Sequence, residues 1–383
     1  MAKLWKKGYG LDADAEDYTV GEDYLLDQEL LPYDVQASVA HAEMLSECGY
    51  LSKEEAGSIV SALKKLGTLE IKKGDEDSHT AIENYLVEKL GETGKKIHTA
   101  RSRNDQCLVA MRLYFKDHLQ KLESETNSLI EGLKKKKDVP MPGYTHTRKA
   151  MPSSSGMLFS AYADSLEDDL ALLQSVKKIL DKNPLGSAAG YGVPLKISKE
   201  STTSKLGFGK TQGNPIHCAN SRGKYELLVA NVLTSIMLDL NKIASDLILF
   251  STPEFGFFKL SKELCTGSSI MPQKVNPDPL ELVRANYHVV SGYEAMIKGI
   301  CSNLISGYHR DFQLTKGPAL KSMKITLSSL KVMQKIISGL EPDEEKMKEA
   351  MSKELYATEE AYKLVEQGVP FRDAYKEVGK RFM

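Results

Sequence analysis

Apolar residues recur every three or four positions over long stretches of this chain, and polar islands separate those stretches. Beyond a polar opening, helical spacing sets in at about Val35 and continues through Val39, Met44 and Leu45, with Ala40 and Ala42 filling in. Ser52 and Glu55 have the spacing of a capping box, which predicts a helix running to about Leu66 and stopping at Gly67. A further helix is predicted from about Thr80 to Leu90, ending near Gly91 or Gly94. Three long stripes follow. Leu108, Met111, Phe115, Leu119, Leu122, Leu129 and Leu133 form one, Phe159, Tyr162, Leu166, Leu170, Leu173, Val176 and Leu180 the next. Tyr225, Leu228, Val232, Ile236, Leu240, Ile243 and Leu247 form the third. A helix from about Leu280 to Ile300 and a last stripe from Leu320 to Leu340 complete the pattern. β-Branched alternation over five or more residues is almost absent, so the predicted class is all-α, a long-helix bundle flanked by smaller helical domains. The expected divisions are an N-terminal helical domain at 1–100, a central bundle at 101–340 and a short C-terminal helical domain at 341–383. Stripes this long exceed the core of one small bundle, which predicts burial of the remaining apolar faces against identical helices of other subunits.

Composition narrows the function. The 383 residues carry 51 basic and 52 acidic side chains, a balance that argues against commitment to nucleic acid or to an anionic membrane. The basic run at 134–137 reads as a solvated helix end. Five cysteines, at 48, 107, 218, 265 and 301, show no metal-ligand spacing and suit a reducing cytosol. The N-terminus lacks the apolar core of a signal peptide, no run of about 18 apolar residues predicts a membrane span, and a cytoplasmic location is expected.

The unusual polar residues gather in four islands, 98–106, 144–149, 265–281 and 307–316, each at the end of a predicted long helix. The third, C-T-G-S-S-I-M-P-Q-K-V-N-P-D-P-L-E, has neither helical nor strand period and holds three prolines. So stiff and polar a loop in a helical chain calls for chemistry. The N–H groups beside Gly267, the hydroxyls of Ser268 and Ser269, the Lys274 charge and the Asn276 amide could together surround an oxyanion. In the first island Ser102 or Asn104 could cap a helix, and the paired Arg101 and Arg103 suit planar carboxylates. His146 stands either as a structural histidine or as an acid, with Glu281 a distant candidate partner. His79 could serve a substrate or cap the helix after it, and 308–316 could be a binding strip or a charged helix start.

Collected together, these islands resemble the fumarase/aspartase superfamily of lyases. The loop G-S-S-I-M-P-Q-K-V-N-P at 267–277 is similar to its most specific motif. Four further stretches look like the argininosuccinate lyase branch: H-T-A-R-S-R-N-D-Q (98–106), G-Y-T-H (143–146), S-R-G-K-Y-E (221–226) and Y-H-R-D-F-Q-L-T-K (308–316). The resemblance covers nearly the whole chain. It implies the fumarase/aspartase fold and a reversible β-elimination of argininosuccinate to arginine and fumarate, without metal or organic cofactor. It implies arginine biosynthesis, and a homotetramer whose sites draw on several subunits. By this likeness Ser268 is the base, His146 oriented by Glu281 is the acid side, and Lys274 and Asn276 stabilise the developing charge. Ser102, Arg103 and Asn104 would meet the succinyl carboxylates, with Thr145 nearby. Tyr308, Gln313 and Lys316 would hold the arginine end, Asp27 its amino group, and Arg222 would occupy the place of a conformationally important arginine.

Three departures from the family pattern stand out. Position 23 is Asp where many members carry Ser, so no contact is assigned to it. Thr147-Arg148 follows His146 where the family often has Leu-Gln. The chain ends at Met383, where relatives usually continue, which implies a reduced third domain. The competing readings are adenylosuccinate lyase, for which no Gly-rich phosphate cradle is present, and a crystallin-like structural protein or helical scaffold, which would not require these motifs.

Overall fold

The computed structural model describes residues 12–67 and 69–382, so the reading of the extreme N-terminus lies outside the described residues. Eight helices hold most of the helical residues. They are α1 (Asp23–Glu47), α2 (Lys53–Lys64), α3 (Ser78–Leu90), α4 (Arg103–Lys134), α5 (Ser155–Leu180), α6 (Lys224–Phe250), α7 (Asp278–Ile300) and α8 (Lys316–Gly339). Two short helices, α9 (Ala357–Glu366) and α10 (Phe371–Gly379), follow. The class is all-α, as the periodicity predicts, and the chain divides into two compact units.

The first unit takes Met1–Lys121, Leu173–Leu233 and Ser291–Lys324, of which residues 12–67 and 69–121 are described in the first segment. Its N-terminal core joins Met44, Leu45, Ile59, Leu63, Ile82 and Leu86 from α1, α2 and α3. The predicted capping box opens α2: the Glu55 N–H donates to Ser52 Oγ at 3.1 Å, and the Ser52 N–H donates to Glu55 Oε2 at 2.9 Å. Gly91 ends α3 with φ at 55°, where a side chain would be strained. A second cluster sets Ala37 and Ala40 of α1 against Val109 and Leu113 of α4 and against Leu185, Leu206 and Phe208. One difference from the sequence reading is instructive. The apolar spacing begins near residue 35, yet α1 begins at Asp23 and runs through Pro32. This front half buries Leu30 and Leu31 but interleaves them with Asp27 and Asp34, whose ion pairs and hydrogen bonds occupy buried positions an apolar stripe would fill.

The second unit takes Leu122–Leu172, Thr234–Val290 and Ile325–Met383. Between the first two long stripes lies a hairpin, β1 (Pro140–Thr145) paired antiparallel with β2 (Arg148–Ser154), with a bulge between Pro142 and Tyr144. Strand signals miss it because prolines at 140, 142 and 152 interrupt any alternation. Tyr144 anchors the hairpin, its ring 5.8 Å from that of Phe250 and 5.7 Å from that of Phe255. A two-residue ladder, β3 (Thr266–Gly267) with β4 (Val275–Asn276), pins the base of the third island. At the chain's end α9 and α10 share their own small core of Ala361, Ala374 and Val378. One stretch, Pro215–Phe250, is apolar and long enough to cross a membrane by length and composition, although half of its most apolar window is buried inside the structure, as a core helix would be.

Candidate active site

Within the first unit, the start of α1, the start of α4 and the 308–316 strip converge on a cavity of about 120 Å³. Asp23 and Asp27 of α1, Arg103, Asn104 and Cys107 of α4, and Arg222, Tyr308, Gln313 and Lys316 line it, together with Asp77, His79 and Arg310. Asp23, Asp27 and Asp34 lie four and then seven residues apart, which puts all three carboxylates along one stripe of α1. Each has a cation. Lys316 Nζ stands 2.8 Å from Asp23 Oδ1 and 2.5 Å from Asp27 Oδ1. His79 Nδ1 stands 2.5 Å from Asp34 Oδ2, and Arg101 reaches Asp34 Oδ1 at 3.5 Å.

These pairs set the protonation states. Burial works against an imidazolium at His79, but the Asp34 carboxylate overrides it and holds the pKa well above the usual histidine range. Burial alone would raise Asp34; the His79 and Arg101 charges outweigh it and the carboxyl is held low. Lys316 is likewise buried and likewise held above its ordinary value by Asp27 and its other neighbours. Asp23 goes the other way: burial raises it, only partly offset by Lys316. Arg222 places its guanidinium 5.2 Å from the Tyr308 ring centroid.

The α4 end serves two purposes. Ser102 Oγ accepts the Asn104 N–H at 3.3 Å, so the capping reading of this island is realised. Arg103 meets the carboxylates of Glu76 and Asp77 while still facing the cavity. Arg101 instead turns into the interior, donating to Ser38 Oγ at 3.0 Å. Asp105, wholly buried, accepts the N–H groups of Ser102, Gly186 and Ala188 and thereby fixes the helix start against the 186–188 turn. Gln313 Nε2 donates to the Thr19 and Val20 carbonyls, and Arg310 donates to Thr19 at 2.7 Å.

The other predicted residues lie in the second unit. Ser268 sits at the start of a seven-residue tip between β3 and β4. Its Oγ accepts the N–H of Met271 at 3.1 Å and of Ile270 at 3.3 Å. Two N–H donors on one hydroxyl oxygen stabilise negative charge there, the condition a serine base requires. Lys274 is exposed, Asn276 is half-buried, and Glu281 lies exposed in the first turn of α7. Thr145 and His146 are exposed at the hairpin tip, where His146 and Thr147 both adopt positive φ, 50° and 57°. Among the described residues no hydrogen bond or ion pair joins His146 to Glu281. The structure thus brings together the expected substrate anchors Asp27, Arg103, Asn104, Tyr308, Gln313 and Lys316, and carries Ser268, Lys274 and Asn276 on a loop of their own.

The lyase family model matches residues 12–292. An argininosuccinate lyase from Thermotoga neapolitana is 50% identical over 390 residues, covering 99% of this chain and 98% of that one. The chain belongs to the argininosuccinate lyase family. A Sorangium cellulosum argininosuccinate lyase is 40% identical over 386 residues, covering 98% of this chain and 90% of its own. Among solved structures, EDDS lyase in complex with formate superposes with a TM-score of 0.83 at 25% identity, over 97% of this chain and 76% of that one. A class II fumarase from Schistosoma mansoni shares the fold at a TM-score of 0.81 and 18% identity, over 98% of this chain and 93% of that one. For an argininosuccinate lyase family member, three lining residues of this pocket escape motif reading, Asp77 among them. Asp23, assigned no contact, lines the cavity and pairs with Lys316. Cys107 lines it too, and the signal was available: on a helix, three and four residues separate it from Asn104 and Arg103, which puts all three on one face.

Proposed function

We propose that this protein cleaves argininosuccinate into arginine and fumarate by reversible β-elimination. The observation that carries the reading is the near end-to-end likeness to the Thermotoga neapolitana argininosuccinate lyase. The chemistry of the residues supports it. Removing a proton from the carbon beside a carboxylate builds a dianionic aci-carboxylate, which must be stabilised as it forms. Ser268 takes that proton; the Ile270 and Met271 N–H groups ease the negative charge on its oxygen. Lys274, Asn276 and the N–H groups near Gly267 receive the charge developing on the substrate. His146 protonates or polarises the departing guanidinium nitrogen, with Glu281 orienting it. Arg103, Ser102, Asn104 and Thr145 meet the succinyl carboxylates, while Tyr308, Gln313, Lys316 and Asp27 hold the arginine end.

A homotetramer with shared sites suits this arrangement. Ser268 carries its two donors on a thinly covered loop, and Lys274 and Glu281 are exposed in the single chain. Leu282, Val289 and Met296 stand exposed at seven-residue intervals along α7, an apolar stripe suited to an identical helix. All five cysteines are free, which supports a reducing, cytoplasmic location. The cores of α1–α3 and of α9–α10 support separate N- and C-terminal domains flanking a central bundle, within 1–100 and 341–383.

The test is ultraviolet absorbance of fumarate as the purified protein meets argininosuccinate, with adenylosuccinate in parallel and Ser268→Ala as control. Fumarate from argininosuccinate alone, lost in the variant, supports substrate and base together. Cleavage of adenylosuccinate instead overturns the substrate, and a fully active Ser268→Ala overturns the base.

A further inference from the structure

The first unit holds another cavity, of about 310 Å³, that none of the chemistry above uses. Arg112, Lys116, Lys177 and Lys178 line it, opposed by the single carboxylate of Asp181, and Leu119 and Leu180 add apolar wall. Asp181 is already engaged, its Oδ1 2.7 Å from Lys116 Nζ. Arg112 is only 3% exposed. Its Nη1 donates to the Lys182 carbonyl at 2.6 Å and its Nη2 to Ser221 Oγ at 2.7 Å, both neutral acceptors. The Tyr225 ring lies 4.8 Å from its guanidinium carbon, and its Nε has no acceptor. A buried guanidinium held by neutral partners is costly, and burial pulls its pKa down to about 10. Lys116 is taken up by Asp181 and Lys177 donates to Gln120 at 2.9 Å, so the cavity combines the charges of Arg112 and Lys178, an Arg112 donor lacking an acceptor, and room for more than a water molecule.

We propose that this cavity binds a small multivalent oxyanion, a phosphate or a polycarboxylate, and that its occupancy is felt in the substrate pocket. The route is short. Ser221, which receives Arg112, immediately precedes Arg222, which lines the substrate cavity and faces the Tyr308 ring. The turn that follows them is closely fitted: Gly223 has φ at 76°, and a Cβ there would meet Cys301 Sγ at 2.2 Å. An anion that draws the Arg112 guanidinium toward the cavity competes with its bond to Ser221, and a turn so confined passes that change on to Arg222.

Calorimetric titration of the assembled protein with pyrophosphate, and separately with citrate, tests the site at an ionic strength fixed with potassium chloride. One saturable site per chain is expected for at least one of them, and which one binds tells phosphate from carboxylate chemistry. Lys178 is exposed and has no partner among the described residues, so Lys178→Glu should keep its thermal melt and weaken binding at least tenfold. Unsaturable heats with both anions, or an unchanged Kd in Lys178→Glu, overturn the site. For the coupling, the KM for argininosuccinate should shift several-fold with the bound anion, and not in Lys178→Glu. An unchanged KM at saturating anion overturns the route through Ser221, and a shift that persists in the variant assigns the effect to the substrate pocket itself. The titration does not depend on which reaction the enzyme runs, so failure of the site and failure of the proposed activity are read separately.

Discussion

The pocket of the first unit and the loop of the second solve opposite problems. In the pocket Asp27, His79 and Lys316 are buried, as is Asp34 behind His79, and their charges are already paired within the chain. The loop at 267–277 is mostly exposed, and the Ser268 oxygen is served by two backbone donors of its own turn. A binding site gains from rigidity, because groups held in place lose little entropy on meeting the ligand. In the proposed role of base, Ser268 on an exposed loop leaves room for a substrate to enter. Substitutions should therefore separate the two regions: the pocket should lose stability, the loop should lose rate.

The largest separation is expected at Ser268. Ser268→Ala should lower kcat by about 10²–10⁴-fold while leaving the thermal melt in place. Steady-state fumarate assays beside calorimetry check this, and a large drop in Tm would break the contrast. His79→Gln should do the reverse, destabilising the fold by about 3–5 kcal/mol in urea titrations, because it strips the buried Asp34 of its closest cation. Its pH dependence sharpens the test. His79 has a raised folded pKa, so its contribution is fully present below the ordinary histidine value of about 6.5 and is lost as pH rises through the folded value. Asp34 is held low, so its contribution is present above about 3.9 and is lost as pH falls through its folded value. The stability gap between wild type and His79→Gln should be widest between these limits and narrow at alkaline pH. Asp23→Ser should be milder, since Lys316 keeps Asp27; a several-fold change in KM with about 1 kcal/mol of stability is expected. Ser52→Ala, which belongs to neither region, should cost about 1 kcal/mol and leave kcat untouched.

The long stripes were legible because burial imposes a 3.6-residue period. Leu119, Leu122, Leu129 and Leu133 of α4 are all buried on the face that the spacing assigns. The front of α1 was not, because buried acids at Asp27 and Asp34 interrupt the apolar period that Leu30 and Leu31 would otherwise continue. The hairpin at 140–154 was hidden by its prolines. Motif reading named most of the residues that line the first unit's cavity, but not their partners: that Lys316 meets Asp23, or that Arg101 turns inward while Arg103 faces the cavity, depends on segments that sit far apart along the chain.

The stripe of Asp23, Asp27 and Asp34 also sets what kinds of sequence change α1 can absorb. A residue inserted between Asp27 and Asp34 would turn everything beyond it by about 100°, carrying Asp34 off the stripe while Asp23 and Asp27 stay on it. Exchanging one acid for its amide would weaken one pair and leave the others aligned. Over this segment, lineages should therefore drift in spelling but not in length, and a library that varies length here should yield folded survivors far more rarely than one that varies identity.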